Sequence, residues 1–467
     1  MIETMAEAPF FKRIRIATKE DVVACYPLVA AYIRNPEAAN SVTELIIDLP
    51  SRHCYPYTKL SPPLSTTSTH PSALDDDAHR SIIDYTNSLG LDADTTAVMS
   101  QALEDKKKPP PTEQQEGPRA AKRFRWGLRE DTSEYNATIT TLLISLLPNL
   151  TTLRFFNVGR SSPLDRFLEA NNSGALPRSY LQKLEAVQLQ RVNCEDERNY
   201  DHIRDMRRFR YFYKLPAVRT LSMEGFEDYQ ADYEDFPIRM SEIRRVHIGH
   251  CDMSWSMVGR VLGIPRVLEE FSYSSFGLMN TDGGCSTVSH ESVGKGLYKR
   301  RKELRRLDLD MSVCAGGEEE DGEGKEEDDS SSPREYPSRS IGRLDEFESL
   351  THLSIRIGLL LGYRDVSAGT KRTTPSASYR LVEALPPNLE FLRLYGYQKG
   401  RVAIIDDQVT ELLEKKSSLF PNLVEMHGVD ELIPGVPGTW DPEPGEDNVW
   451  KRSTENLDWE FVSPAQN

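Results

Sequence analysis

Basic side chains are in deficit in this 467-residue sequence: 57 Lys and Arg against 73 Asp and Glu leave a formal net charge of -16. A surface that tracks nucleic-acid phosphates needs concentrated positive charge, so DNA and RNA are poor partners for this composition. Long apolar runs are missing as well. The best of them, Ile139 to Leu147, is too short to cross a bilayer and stops at Pro148. Met1 to Arg15 holds no apolar core followed by a small-residue cleavage site. The expectation is a chain with no membrane partner, in the cytoplasm and/or the nucleus. Cysteine is scarce: Cys25, Cys54, Cys194, Cys251, Cys285 and Cys314 are scattered with no C-x-x-C pair, which predicts reduced thiols rather than a disulfide frame or zinc site. Apolar residues make up only 38% and mean hydropathy is -0.53, so polar segments must dilute whatever part folds.

Catalytic motifs are lacking too. There is no G-x-S-x-G elbow, no H-E-x-x-H and no calcium loop closed by a glutamate. Gly316, Gly317, Gly322 and Gly324 lead to Lys325, but Glu326 stands where a phosphate loop needs Ser or Thr, inside an acidic run that repels phosphate. The sequence therefore predicts no enzyme, no cofactor and no resident metal.

What is present is a repeated pattern: an apolar residue, two variable ones, a second apolar residue, one variable, then a third. It runs through Leu150/Leu153/Phe155, Leu184/Val187/Leu189, Val218/Leu221/Met223, Ile243/Val246/Ile248, Leu268/Phe271/Tyr273, Leu304/Leu307/Leu309, Leu350/Leu353/Ile355 and Leu389/Leu392/Leu394. An isolated copy precedes them at Val42/Leu45/Ile47, and a weaker one closes the series at Leu423/Met426. This is the L-x-x-L-x-L core of a leucine-rich repeat. Its last two apolar positions are two apart, so they share one side of a short strand and leave the residue between them on the other. Burying three apolar side chains per repeat, at roughly 1.5 to 3 kcal/mol each, succeeds only when repeats stack.

The anchors are 34, 34, 25, 25, 36, 46, 39 and 34 residues apart, which leaves room for a helix in the returns. Helical stretches are predicted at Glu134 to Leu147, Tyr200 to Tyr213, Tyr379 to Leu385 and Asp407 to Lys416. Pro148, Pro387 and Pro421 stop helices ahead of three strands, because proline bars the preceding residue from helical geometry. The predicted fold class is α/β: a leucine-rich-repeat solenoid with a curved parallel sheet on the concave side, helices and loops on the convex side, and disordered insertions.

The predicted organisation is an N-terminal cap over 1–40 and a first strand at 41–50. A polar, partly disordered insertion with short helices at Ala78 to Leu89 and Asp94 to Glu104 covers 51–133. The repeat array spans 134–430 and a C-terminal tail 431–467. Within the array, 316–339 carries nine acidic residues between Glu318 and Asp329, a density that keeps a segment solvated and disordered. The basic group at Lys106 to Lys108, Lys122, Arg123 and Arg125 has the spacing of a bipartite nuclear-import signal. Tyr298 to Arg306 is also basic and reads as a helix face.

His247, His250, Cys251 and Asp252 invite a zinc reading, but the repeat frame places Cys251 three residues after buried Ile248, inside the turn, and turns His247 to the concave side. The residues between and flanking the buried pairs form the predicted partner-binding face: Arg154, Phe156, Gln188, Gln190, Glu224, His247, Asp308, Asp310, His352, Arg356, Phe391, Arg393 and Tyr395. Their mix of aromatic, Arg and acidic side chains suits a protein ligand better than a small molecule.

Three segments, F-F-K-R-I-R-I (Phe10 to Ile16), Y-P-L-V-A-A-Y-I-R-N-P-E-A-A-N-S-V-T-E-L-I-I (Tyr26 to Ile47) and L-L-I-S-L-L-P-N-L-T-T-L (Leu142 to Leu153), give the chain its resemblance to fungal F-box/leucine-rich-repeat-like proteins. The resemblance implies a substrate-recognition subunit of a cullin-based ubiquitin ligase, whose repeats select the substrate while the F-box docks on the adaptor. Only nine residues precede Phe10, and no L-P-x-E helical module is visible. An adaptor partner is therefore expected only if an F-box is missing from this sequence. The alternatives are a stand-alone leucine-rich-repeat scaffold unrelated to ubiquitin and, more remotely, an enzyme with an unrecognised site.

Overall fold

Each copy of the repeat pattern carries a strand, and its apolar positions point inward. Leu153, Val187, Leu189, Leu221, Met223, Val246, Ile248, Phe271, Tyr273, Leu307, Leu309, Leu353, Ile355, Leu392 and Leu394 are all buried. So are the anchors Leu150, Leu184, Val218, Ile243, Leu268, Leu304, Leu350, Leu389 and Leu423. In the weaker closing copy, Met426 stays half-buried.

The structure, a computed structural model, describes residues 10–16, 19–47, 76–107, 131–156, 162–190, 206–224, 227–228, 238–249, 251–253, 255–274, 290–311, 340–362, 379–430, 432–433, 449–452 and 459–462. The chain divides into two compact units, Met1–Asn199 with Met206–Leu221, and Tyr200–Asp205 with Ser222–Asn467.

The first unit begins with strand β1 (Arg13–Ile16), helices α1 (Lys19–Arg34) and α2 (Pro36–Ala39), and strand β2 (Glu44–Ile47). Helices α3 (Asp76–Ser88), α4 (Ala93–Lys107) and α5 (Asp131–Leu146) follow. Strand β3 (Thr152–Phe156), helix α6 (Pro163–Ser173), strand β4 (Ala186–Gln190) and a short 3-10 helix (Met206–Tyr211) lead to strand β5 (Thr220–Glu224), where the units divide. β1, β2, β3 and β4 pair in parallel in that order.

The expected cap over 1–40 and first strand at 41–50 need correction. β1 pairs with β2 residue for residue, Ile14 with Leu45 and Ile16 with Ile47, so a strand already forms at Arg13–Ile16. Phe11, Ile14 and Ile16 keep the apolar spacing of the repeat, with Phe11 left exposed. Within 51–133 the short helices expected at Ala78 to Leu89 and Asp94 to Glu104 form as α3 and α4. α3 packs on α1, and α4 packs on α5 and α6, burying Ile82, Leu89, Met99 and Leu103. Residues 48–75 and 108–130, with most of the predicted import signal, lie outside the described residues.

The second unit contains β6 (Glu227–Asp228), β7 (Arg245–Gly249), β8 (Asp252–Met253), α7 (Trp255–Gly263), β9 (Glu270–Ser274), α8 (His290–Tyr298), β10 (Arg306–Asp310) and β11 (His352–Arg356). Helices α9 (Ile357–Leu361) and α10 (Leu381–Ala384), strand β12 (Phe391–Tyr395), helix α11 (Ala403–Leu419) and strand β13 (Glu425–His427) complete the parallel series. In the C-terminal tail β14 (Val449–Arg452) pairs antiparallel with β15 (Trp459–Val462). The acidic run 316–339 lies outside the described residues.

Of the predicted helix at Tyr200 to Tyr213, residues 200–205 lie outside the described residues and Met206–Tyr211 form the 3-10 helix; Tyr379 to Leu385 reduces to one turn of α10, whereas Asp407 to Lys416 lies within the longer α11. Returns without a predicted helix carry α6, α7 and α8, and α9 precedes α10 in the β11–β12 return. α6 has the local signals for one: Ser162 Oγ accepts from the Asp165 N–H, Pro163 opens the first turn, and Gly174 closes it at φ 75°.

The sheet is open, eleven-stranded and parallel, in the order β1-β2-β3-β4-β5-β7-β9-β10-β11-β12-β13. With its helical returns this is an α/β fold compatible with a solenoid-like arrangement. The residue before most strands of the series donates its N–H to the equivalent carbonyl one repeat earlier. Glu185 donates to Thr151, Arg305 to Glu269, Thr351 to Arg305 and Glu390 to Thr351. The Asn of the P-N-L junctions adds a side-chain stitch, Asn149 Nδ2 to the Asn40 carbonyl and Asn388 Nδ2 to that of Glu348, both at 2.8 Å.

The basic stretch Tyr298 to Arg306 is not a helix face, because α8 ends at Tyr298. Arg300 turns inward and donates to the carbonyls of Leu262 (2.9 Å), Gly263 (3.1 Å) and Pro265 (2.9 Å), and to Glu303 Oε1 (2.7 Å). A buried guanidinium thus caps the C-terminal carbonyls of α7, where the helix dipole favours a cation. Among the described residues no helix is long and apolar enough to cross a membrane.

Candidate functional site

Alternation along a strand sends one set of side chains to the core and the other to the opposite face. Parallel pairing in register then aligns that second set into rows. In the second unit the first row is Arg245, Glu270, Arg306, His352, Phe391 and Glu425. The second is His247, Ser272, Asp308, Ser354, Arg393 and His427. A third, at the strand ends, includes Ser274 beside Asp310 and Arg356 beside Tyr395.

The rows are cross-linked by side chains. Arg356 donates to Asp310 at 3.0 Å, and Asp310 is buried beneath that pair. The Tyr395 hydroxyl donates to Asp308 Oδ1 at 3.1 Å and reaches Oδ2 at 3.3 Å. Burial, with Asp310 and Glu270 nearby, pushes the Asp308 carboxyl up to about 6, against the pull of the Tyr395 hydrogen bond and Arg393. Burial also raises the Tyr395 phenol, and the Asp308 carboxylate adds to that. His247 is held below the usual imidazole range, first by burial and then by Arg245, while Glu270, 4.0 Å from its Nε2, opposes them.

Aromatic groups occupy the far part of the face. The His352 and Phe391 rings stack with centroids 5.8 Å apart and an interplanar angle of 19°. His427 lies against the other side of Phe391 at 5.4 Å, and the Arg393 guanidinium sits 5.3 Å from the Phe391 centroid. All four are half-buried, so each presents part of its surface. A slab of flat rings beside cations and engaged carboxylates can hold apolar and charged groups of a macromolecule.

Of the residues singled out from the sequence, His247, Asp308, Asp310, His352, Arg356, Phe391, Arg393 and Tyr395 come together on this face. Arg154 and Gln188 lie in register on the equivalent face of the first unit. There Glu44 pairs with Arg13 at 2.6 Å and with Arg154 at 3.9 Å. Phe156, Gln190 and Glu224 fall on β3, β4 and β5, and their side chains lie outside the described residues. Arg245, Glu270, Arg306, Glu425 and His427 were missed. Each precedes or follows an inward apolar position of its strand by one, and the same period of two would have found them.

No family model matches the chain, and no curated protein matches it.

The histidine–cysteine cluster does not gather on this face. Cys251 is buried, its thiol 3.1 Å from the Gly249 carbonyl, while His250 lies outside the described residues. No group of three His, Cys, Asp or Glu able to hold a metal ion occurs among the described residues.

Proposed function

We propose that this chain is a leucine-rich-repeat scaffold that binds a protein partner on the polar face of its parallel sheet and carries out no chemistry of its own. One observation carries the reading: buried apolar triplets recur strand after strand and leave rows of aromatic, Arg and acidic side chains in register on the other face. A repeat array holds such rows rigidly, so a partner meets a pre-ordered surface and little ordering entropy opposes binding. Aromatic and Arg side chains are also the types that carry most binding energy at protein interfaces. The cytoplasm or nucleus suits a chain with these reduced, buried thiols.

The test is capture of the tagged protein from its own cells, comparing wild type with His352→Ala/Phe391→Ala/Arg393→Ala. The reading expects the triple variant to keep the wild-type circular dichroism and melting temperature yet lose the specific partners. The same partners captured at the same level would refute it.

A link to ubiquitin-ligase receptors is the narrower form of this reading. It is motivated by the three F-box/leucine-rich-repeat-like segments, which fold as β1, as α1 through β2, and as α5 into β3. Recovery of a cullin adaptor in the same capture supports it. Other partners without an adaptor leave the stand-alone scaffold.

A further inference from the structure

The carboxylates on the second unit's polar face are already engaged. Asp310 is held by Arg356, Asp308 by the Tyr395 hydroxyl, and Glu425 by His427 at 2.6 Å. Glu270 lies 4.0 Å from His247 and stands in register between Arg245 and Arg306, one carboxylate for two guanidinium groups, and Glu269 at the strand entrance pairs with Arg244 at 2.8 Å. The cations are not balanced in the same way. Arg245 and Arg306 are exposed, occupy the same row two strands apart, and among the described residues form no ion pair. Phe391 stands in that row two strands beyond Arg306.

Strands in a sheet are about 4.8 Å apart, so Arg245 to Arg306 and Arg306 to Phe391 are each a step of roughly 10 Å. A peptide in polyproline-II conformation advances about 3.1 Å per residue with three residues per turn, so side chains three residues apart lie on one side and span each step. We propose that Arg245, Arg306 and Phe391 form a docking row for an extended acidic segment of a protein partner. Its acidic side chains would be three residues apart, with an aromatic side chain three residues further on. The carboxylates meet the Arg245 and Arg306 guanidinium groups, and the aromatic group joins the slab of His352, Phe391 and His427. This rests on the reading of the face as a protein-binding surface and adds the partner's chemistry and spacing.

The test uses the full chain and a fluorescein-labelled peptide containing Glu-Ser-Ser-Glu-Ser-Ser-Phe, followed by fluorescence anisotropy at low ionic strength. Two control peptides accompany it, Lys-Ser-Ser-Lys-Ser-Ser-Phe and a version with the two Glu adjacent. The expected result is saturable binding that weakens about tenfold in Arg245→Gln/Arg306→Gln and about as much in Phe391→Ala. It should also fall with added salt, as exposed charge pairs do. Both controls should bind at least fivefold more weakly. Equal binding of the lysine peptide, or affinity untouched by the double Arg substitution, would overturn the proposal. Partner capture separates this from the broader reading. Partners lost on His352→Ala/Phe391→Ala/Arg393→Ala but kept on Arg245→Gln/Arg306→Gln leave the scaffold standing and refute the acidic segment.

Discussion

Replacing Asp308 by Asn removes a carboxyl whose folded environment disfavours its charged form. Burial raises it from the ordinary value of 3.8 to about 6. A group whose folded pKa lies above its unfolded one contributes stability that is fully present below pH 3.8 and is lost as pH rises through about 6. The full difference corresponds to about 3 kcal/mol. The side chain is partly exposed, and solvent screening reduces the effect to about 1–2 kcal/mol. Asn keeps an oxygen that can accept from Tyr395 while resembling the protonated acid in charge. The expectation is that Asp308→Asn is more stable than wild type above pH 7 and converges with it near pH 4. The assay is urea denaturation followed by circular dichroism for both proteins at intervals from pH 4 to 8, reading the difference so that other titrations cancel. A gap constant across that range, or one that widens toward acid, would refute the assignment of strain to Asp308.

Two further outcomes follow from buried groups. Arg300→Met leaves the carbonyls at the end of α7 and the Glu303 carboxylate without their donor, and should cost about 3–5 kcal/mol in the same denaturation. Arg300→Lys, with fewer donors and no planar fork, should recover only part of it. Gly294→Ala would place a methyl group 1.9 Å from the Ile341 carbonyl oxygen, against backbone that cannot swing away, so the melting temperature should drop by several degrees. An unchanged melt would show that α8 does not pack so closely.

The period of two was enough to read both the burial and the polar face. Leu353 and Ile355 must share the core side of β11, and His352 and Arg356 the other, because alternation is a property of any strand. Not everything was read in this way. β1 was missed although Phe11, Ile14 and Ile16 keep the apolar spacing of the other copies. α3 and α4 were expected as short helices of a polar insertion, and what went unread is their packing. Their few apolar residues, Ile82, Leu89, Met99 and Leu103, become core only once the first unit's other helices cover them. Arg300 sat in a run of basic residues that resembles a solvated face, and only the carbonyls of α7, more than thirty positions away, draw it inward.

By itself the sequence determined which side chains could be hidden and which faced the other way, since those are local consequences of backbone geometry and apolar spacing. Tertiary structure decided which polar groups satisfy one another. Asp310 and Arg356 are 46 positions apart in the chain, and Asp308 and Tyr395 are 87. Their pairing depends on the register between strands separated by returns of unequal length. The residues left over, Arg245, Arg306 and the exposed part of Phe391, are known only after that pairing is complete. The charge available to a partner is what the fold has not already neutralised.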